Sequence, residues 1–447
     1  MTTPIAAADH AAKSTPEDEA LFSKVSWHLL PLLTVCYLVA FLDRINISFA
    51  QLQMKQSLSF SDEAYAVGAS IFFVGYLIFE IPSNLILERI GARKTLLRIL
   101  FCWGIVASAM MYVHTEWQFY LLRFLLGAFE AGFFPGVILY LTYWYPSSRR
   151  GRAIAIFMAG STIAYIIAGP MSGAIMKFMD GMLDHRGWQW LFLIQGIPAS
   201  FLGLLCYFYL KDKPEQAEWL TDEEKERLRS HVDSDAPGVA QSGSHGSFWT
   251  LLRDPKIYSL VIVYMLLLGL VYAMIFWAPV LIKSWGVKDL FMIGILAALP
   301  SVVGIIGMIL LGRSSDKFHE RRWHFAIAVA CCTVGLLGTI FMKGALVPSL
   351  IALAVFSIGS SAATPIFFTA VSEYLPKSMA AGGIALVSCL GNFGPAIMPP
   401  IVVKINTLTA GQETSLYLVA ALYVVAGALM LYVMRPARAI DSRLAAA

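Results

Sequence analysis

The chain has 447 residues, of which 58% are hydrophobic and only 14% charged, and its mean hydropathy is +0.68. A soluble domain carries about 25% charged residues, so these values exclude a soluble enzyme and indicate an integral membrane protein with many spans. The net charge of +4 is no nucleic-acid signature, because the basic residues sit in loops between apolar runs.

Residues 1–21 are polar and carry Asp9, Glu17, Asp18 and Glu19. They lack the basic region and short apolar core of a cleavable signal peptide, so the first span is expected to act as its own signal. A membrane helix needs about 20 apolar residues. That ruler predicts six spans in the first half, at 27–49, 64–87, 95–113, 117–141, 153–176 and 188–210. Six more follow at 258–282, 291–311, 323–342, 347–371, 382–403 and 416–434. Between the sets lies the one long polar stretch, 211–256. It opens as a charged surface helix with Thr221 as N-cap and Glu224 three residues on, a capping box. Residues 235–247 then read as a flexible linker rich in Gly and Ser. The organisation is a tail (1–25), a six-helix bundle (26–210), a linker (211–256), a second bundle (257–435) and a tail (436–447).

Cys36, Cys102, Cys206, Cys331, Cys332 and Cys389 all fall in apolar runs, with no CxxC and no histidine at ligand spacing. They read as packing residues, and no metal site is expected. With the N-terminus placed in the cytoplasm, the inner segments hold 24 of the 33 lysines and arginines and the outer loops seven. Such an asymmetry puts both termini and the linker on the cytoplasmic side.

Two landmarks recur at nearly one offset. Glu88-Arg89-Ile-Gly91-Ala-Arg93 after span two matches Asp316-Lys317-Phe-His-Glu-Arg321 after span eight, and Pro146 matches Pro376. The offsets, 228 and 230, imply duplicated halves of the same orientation. These acid–basic loops resemble the major facilitator signature Gly-x-x-x-Asp-Arg-x-Gly-Arg-Arg, with Asn84 and Glu88 for Gly and Asp in the first copy and His319 for the second Gly in the other. Four further motifs resemble the anion:cation symporter family, in particular bacterial tartrate, phthalate, hydroxyphenylacetate and sugar-acid permeases. They are Phe41-Leu42-Asp43-Arg44-Ile45-Asn46, Gly75-Tyr76-x3-Glu80-Ile-Pro82-Ser83-Asn84, Arg123-x6-Glu130-Ala-Gly-Phe-Phe-Pro135-Gly136 and Gly382-Gly383-Ile-Ala-Leu-x3-Leu-Gly391-Asn392. The resemblance implies an all-α fold of 12 transmembrane helices, two six-helix pseudo-repeats around a central cavity.

A charged side chain at the centre of a membrane helix costs about 2.5–3.5 kcal/mol on insertion scales, and such residues are functional by default. Asp43 and Arg44 in span one, and Arg123 and Glu130 in span four, are four of them. At 1.5 Å per residue Asp43 lies roughly 24 Å from the cytoplasmic edge and Arg123 about 21 Å, with Glu130 roughly 10 Å deeper toward the cytoplasm. An arginine fork binds a carboxylate with two parallel hydrogen bonds. Burial and a neighbouring guanidinium act oppositely on a carboxyl's proton affinity, so moving an anion onto the arginine couples it to protons. Asp43 and Glu130 are therefore the candidate proton carriers, and Arg44 and Arg123 the candidate carboxylate ligands or counter-ions. The alternative is a pair of static salt bridges joining spans one and four. Glu80 at the end of span two reads equally as a gate or an interfacial residue. The acid–basic loops, Glu88, Arg89, Arg93, Asp316 and Arg321, are expected to latch one end closed.

The second half has no charge well inside a span. It offers Tyr272, Trp277, Thr364, Phe368, Ser388 and Asn392 as candidate contacts, each with packing as the rival reading. Asn392 stands in a glycine-rich, broken helix, and Tyr76 is a substrate contact by resemblance. The expected function is proton-coupled symport of a small organic carboxylate by a monomer in the bacterial inner membrane. It needs no cofactor beyond the coupling proton and has no nucleic-acid partner. An exchanger or a transporter-like sensor is the alternative.

Overall fold

The computed structural model describes residues 15–233, 253–342, 344–375, 380–409 and 412–435; the expected flexible linker and both outermost tails lie outside these. All regular structure among the described residues is helical. The first half contains α1 (Pro16–Leu58), α2 (Asp62–Ile90), α3 (Ala92–Ala109), α4 (Glu116–Glu130), α5 (Phe133–Thr142), α6 (Ser147–Phe178) and α7 (Gly187–Tyr209). A surface helix, α8 (Asp222–Asp233), follows. The second half contains α9 (Pro255–Ser284), α10 (Leu290–Phe318), α11 (Arg322–Phe341), α12 (Leu346–Tyr374), α13 (Ala380–Gly391), α14 (Phe393–Thr409) and α15 (Gln412–Val433). Among the described residues twelve stretches are long and apolar enough to cross a membrane, with α4 and α5 sharing one and α13 and α14 another.

Helix α1 is longer than the apolar ruler indicates, beginning at Pro16 rather than near residue 27. Thr15 and Asp18 exchange capping hydrogen bonds, and Glu17, Asp18 and Glu19 complement the N-terminal dipole. The extension gives α8 a place to dock. Lys24 pairs with Glu224 at 2.8 Å, Arg227 with Glu17, and His231 Nε2 meets Asp18 Oδ1 at 3.0 Å. Beside them His28 stacks on Tyr209 (4.4 Å) and Trp219 (4.1 Å), and Trp219 in turn on Trp144 (5.8 Å). The capping box of α8 is present, with Thr221 N donating to Glu224 and Glu224 N to Thr221 Oγ1. The start of the linker is thus fastened to the first half.

The halves meet where α6 runs along α10, α2 along α14 and α1 on α9. These contacts gather toward the end remote from α8. A Cβ on Gly294 would stand 2.1 Å from the Gly169 carbonyl oxygen, and one on Gly169 2.3 Å from that of Gly294. Only glycine permits this backbone approach. Lys177 pairs with Asp289, Lys404 with Glu63 at 3.9 Å, and Tyr65 sits edge-on to Trp277 at 6.2 Å. Ser70 Oγ donates to the Pro395 carbonyl at 3.2 Å. Among the described residues, the ion pairs at the linker end stay within each half. Arg93 donates to the Tyr207 carbonyl at 2.7 and 2.9 Å, and its backbone N–H to Asp212 at 2.9 Å. Arg321 bridges Asp316 (2.6 Å) and Glu373 (3.0 Å). One end is closed between the halves, and at the other the Arg93 and Arg321 clusters, among the described residues, find their partners in their own half.

Candidate functional site: a buried charge centre

Helix α4 stops at Glu130 because Ala131 turns to ψ 134° and Gly132 to φ +85°. Gly132 is required here twice: its φ is left-handed, and a Cβ would sit 2.5 Å from Ser83 Oγ. The break leaves Glu130 as the last helical residue, facing α1. Arg44 Nε and one terminal nitrogen both reach Glu130 Oε1 at 2.6 Å. Glu130 is fully buried, while 17% of the Arg44 side chain stays accessible. Glu130 Oε2 has no hydrogen-bond partner among the described residues. The guanidinium is packed against three rings, Phe41 (5.3 Å), Phe72 (5.6 Å) and Tyr76 (5.2 Å).

The other two charges are held apart from this pair. Asp43 accepts from Asn46 Nδ2 at 3.1 Å and from Trp103 Nε1 at 3.0 Å. Arg123 donates from Nε to the Gly68 carbonyl (3.1 Å) and from a terminal nitrogen to that of Ala69 (3.3 Å), 4.9 Å over Phe72. Arg123, expected with Arg44 as a carboxylate ligand or counter-ion, is 1% exposed, its fork on helix carbonyls. Asp43 and Arg123 still act on each other through space. Two acids and two bases make the centre neutral overall, the condition under which buried charge is tolerable. Trp103 was not singled out in the sequence. A tryptophan inside a span must find an acceptor for its N–H, and that requirement was the available signal.

From the second half, Tyr272 lies within electrostatic reach of Arg44 and stands edge-on to Phe73 at 4.7 Å. Phe368 packs edge-on to Tyr264 at 4.8 Å. Asn392 sits at the break between α13 and α14, half-buried, its N–H donating to the Ser388 and Cys389 carbonyls. Ser388 and Thr364 are half-buried. Trp277, more than one turn beyond Tyr272 along α9, packs edge-on to Tyr65 in the closed end. Glu80 Oε2 is buried without a partner among the described residues, whereas Glu88 and Arg89 are exposed.

The sequence model of the Major Facilitator Superfamily matches residues 33–399. The chain is 41% identical to the "Putative metabolite transport protein NicT" of Pseudomonas putida, over 95% of this chain and 94% of that protein. It is 39% identical to a "Putative tartrate transporter" of Agrobacterium vitis, over 94% and 93%. Among solved structures, a bacterial homologue of the human lysosomal transporter Spinster, inward-facing and unoccupied, superposes with a TM-score of 0.73 at 18% identity. That likeness spans 94% of this chain and 98% of that one and concerns the fold alone. A multi-pass membrane transporter of small molecules, not an enzyme, is the class these findings define. The chain belongs to the Major Facilitator Superfamily.

Proposed function

We propose that this transporter imports a small organic carboxylate together with protons, by alternating access, as a monomer in the bacterial inner membrane with both termini and the linker cytoplasmic. The observation that carries the reading is the Arg44–Glu130 pair: one accessible guanidinium held by a sealed carboxylate that keeps one oxygen free. A substrate carboxylate that takes the Arg44 fork strips Glu130 of its counter-ion, and Glu130 then takes a proton. Anion and proton enter together, so the loaded and empty centres carry the same net charge and both are tolerated when the halves close. Asp43, braced by Trp103 and Asn46, and Arg123, braced by carbonyls, hold the second charge pair and tune the first. The closed end remote from the linker fits a state open to the cytoplasm, with the Arg93 and Arg321 clusters released from a cross-half latch. Charge asymmetry of the loops supports the orientation. The names of the two relatives, a metabolite and a tartrate transporter, agree with an anionic metabolite as cargo.

The test is uptake into proteoliposomes under an imposed pH gradient, with tartrate, phthalate, hydroxyphenylacetate and galactonate offered in turn. Accumulation that collapses with the gradient is expected. Uptake that depends on a trapped internal anion and ignores the gradient would make the protein an exchanger, and binding without movement would make it a sensor.

A further inference from the structure

We infer that the carboxylate taken by this site is a monoanion carried on an aromatic ring, rather than a dicarboxylate or a polyhydroxy acid; this rests on the carboxylate reading above. The site offers one accessible cation. Of the two guanidiniums in the buried centre, Arg44 alone keeps contact with the open space, since Arg123 is sealed on the Gly68 and Ala69 carbonyls. One accessible cation matches one carboxylate. A second carboxylate on the same small molecule would find Glu130 and Glu80 as its charged neighbours, and Glu80 Oε2 already lacks a partner among the described residues. Like charges at short range oppose such a ligand.

The surroundings of that cation are aromatic. Arg44 is framed by Phe41, Phe72 and Tyr76. Phe41 continues edge-on to Tyr165 on α6 at 5.6 Å. Tyr272 of the second half stands edge-on to Phe73 at 4.7 Å, within electrostatic reach of Arg44. Rings of α1 and α2 pack on this one cation, Tyr165 of α6 and Tyr272 of α9 extend the cluster ring to ring, and aromatic groups pack edge-to-face or offset with such rings. A polyol would lose the hydration of its hydroxyls against ring faces.

The test uses the full-length protein in nanodiscs and calorimetric titration with benzoate, 4-hydroxybenzoate, cyclohexanecarboxylate and tartrate. The two benzoates are expected to bind about tenfold or more tighter than tartrate, which leaves a carboxylate and hydroxyls unsatisfied. Benzoate is expected to exceed the saturated ring by about fivefold, the scale of an aromatic pair beyond area burial. Tyr272→Leu should bring that benzoate-to-cyclohexanecarboxylate ratio toward one; a purely structural role would weaken both ligands and leave the ratio in place. Tartrate binding as tightly as benzoate, or a ratio moved by neither Tyr272→Leu nor Tyr76→Leu, would overturn the inference. If tartrate wins while gradient-driven uptake persists, the ring fails and symport stands; if no carboxylate binds, both fall.

Discussion

Replacing Glu130 with glutamine separates two jobs that the carboxylate performs. The amide keeps an oxygen where Oε1 accepts from Arg44 at 2.6 Å, so the fork retains an acceptor. It removes the negative charge and the capacity to carry a proton. A wholly buried charge pair broken on one side loses about 3–5 kcal/mol. Arg44 is 17% accessible and leans on three rings, so the low end of that range applies, and the protein should remain folded. Transport should divide more sharply. If one proton accompanies each monoanion, every unit of pH gradient supports about tenfold accumulation, since 1.4 kcal/mol is a factor of ten. Proteoliposomes with a gradient of one unit should therefore concentrate substrate about tenfold with the native protein and not at all with Glu130→Gln. Counterflow, in which labelled external substrate exchanges against unlabelled internal substrate, needs no net proton movement and should survive. Retained accumulation would show that Glu130 is not the proton carrier. Loss of counterflow as well would show that it serves binding or structure instead.

Arg44→Lys keeps the charge but loses the planar fork, and should weaken substrate binding by about tenfold or more, the cost of one charge-assisted hydrogen bond; unchanged affinity in titration would argue against a two-pronged clamp. Trp103→Phe removes the N–H that Asp43 accepts at 3.0 Å and should lower thermal stability by about 1–3 kcal/mol, with an unaltered melting curve refuting the brace. Gly294→Ala places a Cβ 2.1 Å from the Gly169 carbonyl, which should cost about 1–3 kcal/mol and shift spin-label distances across the closed end toward the open state. Glu224 lies outside the membrane, and its hydrogen bond from Lys24 holds its carboxyl below the ordinary glutamate range. Because its folded value is depressed, its contribution to docking α8 is complete above that range and is lost as pH falls through the depressed value. The protection of α8 amides, after correction for the intrinsic pH dependence of exchange, should thus be steady from pH 8 to pH 6 and fall in acid, by no more than the ~0.2–1 kcal/mol of an exposed pair.

Much of the architecture was legible because hydropathy acts over lengths of twenty residues. The twelve spans follow from it, and the break at Asn392 follows from the glycines beside it. The box at Thr221 and Glu224 was readable from spacing alone. The pairing inside the centre was not. Counting 1.5 Å per residue gives height along a helix, but the partner of each charge depends on how far each helix is rotated about its axis. Asp43 and Arg123 stand in each other's field, yet Asp43 turns to Trp103 and Asn46 while Arg44 spans to Glu130. The carbonyls that absorb Arg123 belong to α2, and backbone groups leave no trace in a pattern of side chains. The docking of α8 was hidden for a similar reason. Charged residues that read as a solvated face found complementary charge on an extension of α1 that hydropathy does not register.

The contact between Gly169 and Gly294 has a mechanical consequence. Backbone lies on backbone there, with no rotamers to rearrange. If the halves rock to give alternating access, such a point serves as their fulcrum. Gly169 is nine residues from the end of α6, roughly 13 Å along the helix axis. A turn of about 15° about it would carry a group 15 Å away through about 4 Å. The arms on either side of a fulcrum move in opposite senses, so closing one mouth opens the other without any signal passing between them.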